Sequence, residues 1–253
     1  MIAPVSFPLA VALEMDEPVR ILDVGCGGGG QTKAILDHAP RGSSALGLDI
    51  SGTLIAKASQ RYAAQSDMIT FQAGNAEVAQ PVHANFDRVV SRFGVMFFEH
   101  PERAFRNLTQ WVRPNSTFAF AVWAPIDENP WMEIMRDCVA QQIELPKPEP
   151  DSPGPFRYAD ANGFAGLLAR CGYNGLSSKT WNGYLPVGGG LSAKETADFA
   201  VSAFGIAQPA VEIGGTLLDK VKQDLQTRFQ EYEVDGQVMC PAAVHIIRGH
   251  LSP

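Results

Sequence analysis

Two carboxylates and a cluster of glycines carry the densest chemistry in this chain. Asp23 lies in the apolar run Ile21-Leu-Asp-Val24, and glycines at 25, 27, 28, 29 and 30 follow around Cys26. Asp49 closes a second apolar run, Ala45 to Leu48. The pattern reads as a strand, a tight turn over Gly25 to Gly29, a helix starting at Gln31, and a second strand ending on an acid. That order builds a nucleoside site. Glycine lets the backbone approach a ligand closely, and a helix N-terminus offers free amides to a negative group. A carboxylate some twenty residues on can accept hydrogen bonds from both ribose hydroxyls.

The glycine spacing alone leaves the nucleoside open. Gly25, Gly27 and Gly29 fit GxGxG, whereas Gly25, Gly27 and Gly30 fit the dinucleotide pattern GxGxxG. Asp23 discriminates between them. Two residues before the first glycine, its carboxylate is expected to face the ligand, where it repels a pyrophosphate and attracts an ammonium and a sulfonium. The charge argument favours S-adenosylmethionine over NAD.

Four ordered motifs then support a family resemblance. Ile21-Leu-Asp-Val-Gly-Cys-Gly-Gly-Gly29 resembles the first motif of class I S-adenosylmethionine-dependent methyltransferases, and Leu46-Gly-Leu-Asp-Ile-Ser51 resembles their acidic second motif. Phe86-Asp-Arg-Val-Val-Ser-Arg-Phe-Gly-Val-Met-Phe-Phe98 is similar to the fourth strand and its loop, and Val112 to Val122 to the turn into the fifth strand. The Ser91 to Phe98 string, with Glu128-Asn-Pro-Trp131, resembles a branch that includes ubiquinone/menaquinone-type C-methyltransferases. The resemblance implies S-adenosylmethionine as cofactor and S-adenosylhomocysteine as product. It implies a Rossmann-like α/β fold, with a seven-stranded, mostly parallel sheet whose last strand is antiparallel. Helices are expected on both faces, with helical cap insertions.

Composition limits the alternatives. A chain of 253 residues with 45% hydrophobic and 19% charged residues suits an ordinary globular core with inserted caps. A net charge of −7, with no Lys or Arg run, argues against nucleic acid as a partner. The apolar stretches are too short for a membrane span. Met1 to Leu13 has no basic flank ahead of its apolar part, so no secretory signal is expected. Cys26, Cys138, Cys171 and Cys240 are scattered without a CxxC pair, which suits reduced thiols in the cytoplasm. The five histidines form no cluster, and no metal is expected.

Periodicity predicts strands over 20–24, 45–49, 68–73, 86–91 and 116–123, with helices over 31–38, 52–65 and 102–112. The alternation calls for a parallel sheet. It places Asp23, Asp49, Asn75 and Ser91 at the carboxyl ends of strands, the edge where such sheets bind ligands. The expected organisation is a cofactor-binding core over 1–124, a Pro-rich cap over 125–156 and a core helix and strand over 157–187. A helical insertion over 188–232 and a final core strand over 233–253 complete it. Within the Pro-rich cap a short helix is expected near 130–143. Pro146, Pro148 and Pro150 argue against regular structure beyond it. Thr216 to Tyr232 carries Leu217, Leu218, Val221, Leu225 and Phe229 on one helical stripe. Met1 to Glu17, with Pro4 and Pro8, is expected to form at most a short cover. Pocket closure then falls to the insertions or to a partner subunit, as in a homodimer, or the site stays open in a slower enzyme.

The expected cofactor cradle takes Asp23, Gly25, Cys26, Gly27, Gly29, Gln31 and Thr32 from the first motif, and Asp49, Ile50 and Leu54 from the second. Asn75 and Ala76 are assigned to adenine, and Ser91, Arg92 and Phe93 to the methionine end. Asn75 stands where this branch often has Asp; its amide oxygen still accepts one bond, at a loss of roughly 1 kcal/mol. Arg92 can grip the methionine carboxylate or a substrate oxyanion in a bidentate manner, against the plainer reading of an ion pair with an acid such as Glu99. Met96, Trp123, Trp131 and Phe156 are candidates for the acceptor pocket. No nearby base makes Cys26 a nucleophile, and His100 reads as a helix-start residue or a general base.

The expected reaction is in-line methyl transfer to a small, aromatic or lipophilic molecule. Alignment alone is worth roughly 7–11 kcal/mol in such a step, so no triad or carboxylate pair has to appear. Two alternatives stay open. One is an inactive S-adenosylmethionine- or S-adenosylhomocysteine-binding subunit, suggested by Asn75 and the short N-terminal segment. The other is an NAD(P)-dependent oxidoreductase, which calls for a neutral residue near 23 and a Tyr-x-x-x-Lys pair that this chain lacks.

Overall fold

The computed structural model describes residues 1–80, 82–145 and 151–251. A single 3-10 turn, Ala3–Val5, leads into α1 (Ser6–Ala12) and then β1 (Arg20–Val24), α2 (Gly30–His38), β2 (Ser44–Asp49) and α3 (Gly52–Arg61). Next come β3 (Ile69–Ala73), β4 (Phe86–Arg92), α4 (Pro101–Thr109) and β5 (Val112–Trp123). The second half carries α5 (Pro130–Ala140), α6 (Ala161–Arg170), β6 (Tyr173–Pro186), α7 (Ala193–Ala203), α8 (Gln208–Ile213) and α9 (Gly215–Gln230). It ends on β7 (Glu233–Val234) and β8 (Gln237–Leu251).

The sheet runs β3-β2-β1-β4-β5-β8-β6, with the two-residue β7 paired to β8 off this path. β1 pairs in parallel with β2 on one side and β4 on the other, β2 with β3 and β4 with β5, while β8 is antiparallel to β5. This is the expected mostly parallel sheet with an antiparallel last strand. β1 owes its central place to composition: Ile21, Leu22 and Val24 are all buried, as a strand covered on both faces requires. Parallel register then sets Asp23 beside Gly47 and Val90, and Asp49 beside Ala73. The carboxyl ends of β1, β2, β3 and β4 therefore share one edge.

Two compact units share the chain. One takes Val5–Ala124, Asp151–Trp181 and the chain from Val244, and holds β1 to β5 with α1 to α4 and α6. Its core is aromatic around Phe105, whose ring meets those of Phe98, Phe120, Phe164 and Tyr173. Here α1 lies on α2, β4 and β5, with Leu9 fully buried. Pro8 is tolerated in α1 because it falls in the first turn, where no backbone donor is needed.

The other unit takes Met1–Pro4, the stretch that begins at Pro125, and Asn182–Ala243. Its helices α5, α7 and α9 pack together, and α9 buries Val221, Leu225 and Phe229 as the stripe predicted, with Leu217 and Leu218 half-buried. Pro130 opens α5 at the first helical position, where its fixed φ suits the helix. The fully buried Asn129 ties the start of α5 to β8, donating to Pro125 O and Ala243 O and accepting from Ala243 N. Pro146, Pro148 and Pro150, expected to break the cap, lie outside the described residues. Among the described residues no helix is long and apolar enough to cross a membrane.

Several boundaries differ from expectation. The helix expected over 52–65 ends at Arg61, and Ala63–Gln65 follows as a 3-10 turn. β5 begins at Val112, not 116, because Val112 pairs with Phe86 ahead of an irregularity at Asn115, whose φ is 63°. β6 runs from Tyr173 to Pro186 within the expected 157–187 stretch, with Gly175 at a positive φ of 60°.

Candidate functional site

A cleft of about 400 Å³ opens at the shared strand edge of the first unit. Its volume falls in the range of about 300–1,000 Å³ usual for small-molecule sites. Val24 and Gly25 line it from β1 and its turn, Leu48, Asp49 and Ile50 from β2, and Gly74 to Glu77 from the chain after β3. Arg92 contributes from the end of β4, and Phe93, Gly94, Phe97, Phe98 and Glu99 from the turn and loop that follow.

The glycine turn is shaped by close backbone approach. Gly25 has φ 73°, and a Cβ there would lie 2.7 Å from Gly94 Cα, so β1 and β4 meet backbone to backbone at the cleft. Gly27 also has positive φ, 55°, but a Cβ on it would meet nothing within 4 Å. Space, not a neighbour, faces Gly27. Gly29, at the N-cap of α2, lies under the Phe71 ring.

Asp49 ends β2 at the lip of the cleft. One carboxylate oxygen accepts from Gly27 N at 2.8 Å and the other from Ser51 N at 2.9 Å, which locks the acid to the glycine turn. Ser51 separately caps α3 by accepting from Leu54 N, so Asp49 is released from the capping duty. Ile50 is 74% exposed although apolar, and Leu54 is partly exposed beside it. An apolar side chain left in water at a cleft rim suits the flat face of a ligand.

Asp23 departs from expectation. Its side chain is fully buried, not open to the cleft, and it is not among the lining residues. Thr32 Oγ1 donates to one carboxylate oxygen at 2.7 Å; the other is buried without a hydrogen-bond partner. Burial raises the Asp23 carboxyl from its ordinary 3.8 to about 6, against the lowering pull of the Thr32 bond and the Arg92 charge. Burial also depresses Arg92, with the Asp23 charge opposing. Arg92 Nη1 donates to Ser6 Oγ at 2.6 Å, so its bond runs to α1. Gln31 accepts from the same hydroxyl, and its Nε2 is a second buried polar atom without a partner; Ser91 Oγ is a third.

Asn75 and Ala76 line the cleft, but Asn75 Oδ1, the atom expected at adenine, already accepts from Glu77 N at 2.9 Å in a turn. Glu77 in turn accepts from His100 N at the start of α4, which places His100 as a helix-start residue. Cys26 is buried, and burial together with the nearby Asp23 and Asp49 pushes its thiol far up, so it is no nucleophile.

Phe93 sits in the left-handed region, φ 69°, and its ring stacks on Trp123 at 4.1 Å and 7°. A non-glycine residue held there stores strain of the kind that collects at working sites. Met96 corrects the expected acceptor wall: it is fully buried and lines nothing in the cleft, whereas Phe97, 56% exposed, takes that place. Phe156 is half-buried in the turn before α6 and is likewise not among the lining residues. Trp131 belongs to the other unit, where it is buried on α5 and packs against Phe204. Sequence reasoning passed over Gly94, Glu77 and Ser6. The Ser-Arg-Phe-Gly string offered a signal for Gly94; nothing local marked Ser6.

The donor set fits an adenosyl cofactor with a cationic tail. It offers open space above Gly27, a carboxylate at a strand end, and buried polar atoms in need of partners around Arg92. Among the described residues no cluster of three or more His, Cys, Asp or Glu could hold a metal.

Comparison with known proteins agrees with this geometry. Residues 22–120 match the family described as a methyltransferase domain. Phosphoethanolamine N-methyltransferase of Plasmodium falciparum is 22% identical over 181 residues, 69% of this chain and 62% of that protein. Malonyl-[acyl-carrier protein] O-methyltransferase of a Paenibacillus species is 26% identical over 158 residues, 61% and 55% of the two. The chain thus spans less than two thirds of the length of these relatives. The YcgJ protein of Bacillus subtilis superposes over 98% of both chains with a TM-score of 0.62 at 14% identity, a likeness of fold.

Proposed function

With residues 22–120 a methyltransferase domain of the class I S-adenosylmethionine-dependent kind, we propose that this chain methylates a small aromatic or lipophilic acceptor in the cytoplasm. The observation that carries the proposal is the Asp49–Gly27 bond, which sets a strand-end carboxylate over an open glycine turn. When bound, S-adenosylmethionine supplies an electrophilic methyl group on sulfonium, which the acceptor's nucleophile takes in line with the leaving sulfur.

The residues divide the work of holding it. Asp49 accepts from the ribose hydroxyls with lone pairs not used by Gly27 and Ser51. Gly25 and Gly27 admit the chain between ribose and methionine, and Ile50 covers the adenine face. The backbone beside Asn75 and Ala76 meets the adenine edge. Arg92 pairs with the methionine carboxylate, while the ionised Asp23 acts on the ammonium and sulfonium from behind Thr32 as a buried charge. Phe93 lines the cleft with its ring stacked on the buried Trp123, which does not itself reach the lining, and Phe97 and Phe98 add apolar surface. That lining supports a flat or lipophilic acceptor. The relatives' names point elsewhere, to phosphoethanolamine and a malonyl carrier. Among the described residues that line this cleft Arg92 is the one cation, thin provision for a phosphate or an acidic carrier.

A panel of phenols, quinols, phosphoamines and malonyl thioesters incubated with the protein and S-adenosylmethionine tests the proposal through release of S-adenosylhomocysteine. Turnover confined to the phosphoamines or the malonyl thioesters contradicts the acceptor class. No turnover with any acceptor, despite cofactor binding, favours the inactive binder.

A further inference from the structure

One partner of the cradle comes from neither the strands nor the glycine turn. Ser6, the first residue of α1, is 6% exposed, and its Oγ accepts from Arg92 Nη1 at 2.6 Å while donating to Gln31 Oε1 at 2.8 Å. A hydroxyl has one proton and two lone pairs, so Ser6 can accept from the guanidinium and donate to the amide oxygen at once, and it makes both bonds. That arrangement settles how Gln31 sits. Its oxygen turns to Ser6, and its Nε2 is left as a buried donor without a partner. The hydroxyl is itself held firmly, because α1 packs on α2, β4 and β5, and Val5, Leu9 and Leu13 in and around it are all 0% exposed.

The geometry points to Ser6 as a positioning residue for the amino-acid end of the bound cofactor. It fixes the plane of the Arg92 guanidinium, which lines the cleft, and aims the Gln31 amide N–H as a waiting donor. Ser6 acts through these two side chains and touches no ligand. An arginine recognises a carboxylate through a rigid fork, so holding that fork in place matters more than its charge alone. The inference rests on reading the cleft as the S-adenosylmethionine site.

The test uses two ligands that differ only at the amino-acid end. S-Adenosylhomocysteine carries it, and 5′-methylthioadenosine keeps the adenosyl thioether without it. Calorimetry on the full chain compares wild type with Ser6→Ala, whose folding is checked by its melting curve. The variant is expected to lose about tenfold in affinity for S-adenosylhomocysteine, the scale of one hydrogen bond to a charged group, with 5′-methylthioadenosine affinity unchanged. A similar loss for both ligands marks Ser6 as merely structural and overturns the inference, as does no loss for either. A wild type that binds neither ligand overturns instead the cofactor reading beneath it.

Discussion

Replacing Asp23 by Asn tests whether a buried charge is kept here at the expense of stability. The carboxyl is fully buried, and its proton is held more tightly in the folded chain, with a pKa of about 6 against an ordinary 3.8. A raised carboxylate destabilises the fold above pH 6, and the loss is recovered as pH falls from 6 toward 3.8. That rise is worth roughly 3 kcal/mol in full. Between pH 8 and pH 5 the linkage relation releases roughly 1 kcal/mol of it. Asn cannot titrate, so this part of the pH dependence vanishes in Asp23→Asn. The substitution also deprives Arg92 of its counter-charge, so the offset between the two proteins at one pH mixes several effects. The change of that offset with pH does not. Thermal melts of both proteins without cofactor, from pH 5 to pH 8, are expected to show the wild type gaining about 2–4 °C on the variant as pH falls. An offset constant across that range would refute the reasoning, because Asp23 would then titrate alike in folded and unfolded chains.

Other substitutions follow from single contacts. Gly25→Ala places a Cβ 2.7 Å from Gly94 Cα at a φ of 73°, and is expected to cost at least about 2 kcal/mol in denaturant unfolding. All four cysteines are buried, and burial raises each thiol; a thiol reagent at pH 8 is expected to label none in the native protein and all four after unfolding. Rapid native labelling contradicts the packing around Cys26. Asn129→Ala takes the side-chain partner from Ala243 N–H, Ala243 O and Trp131 Nε1–H, and is expected to lose about 2–3 kcal/mol with cofactor affinity unchanged.

The sheet was legible because its strands are written in apolar runs that end on polar residues. Ile21 to Val24 and Ala45 to Leu48 have no reading other than buried parallel strands, and their register brings Asp23 and Asp49 to one edge. What stayed hidden depends on distant packing. Thr32 shields Asp23 from the cleft, a fact that needs the first turn of α2 in place. Asn75 spends its oxygen on the Glu77 amide, a local turn that composition allowed but did not require. Met96 and Phe97 are adjacent and equally apolar, so only the 3-10 turn Gly94–Phe97 decides which one faces the cleft. Ser6 lies 86 residues from Arg92, and no periodicity links them.

Titration calorimetry with S-adenosylhomocysteine tests the central claim most directly, run on wild type and Asp49→Ala, with NADH as the competing ligand. The wild type is expected to bind S-adenosylhomocysteine and not NADH. Losing the carboxylate proposed to hold the ribose hydroxyls is expected to weaken binding at least about a hundredfold. Undiminished affinity in Asp49→Ala, or a wild type that binds NADH in preference, would contradict the account.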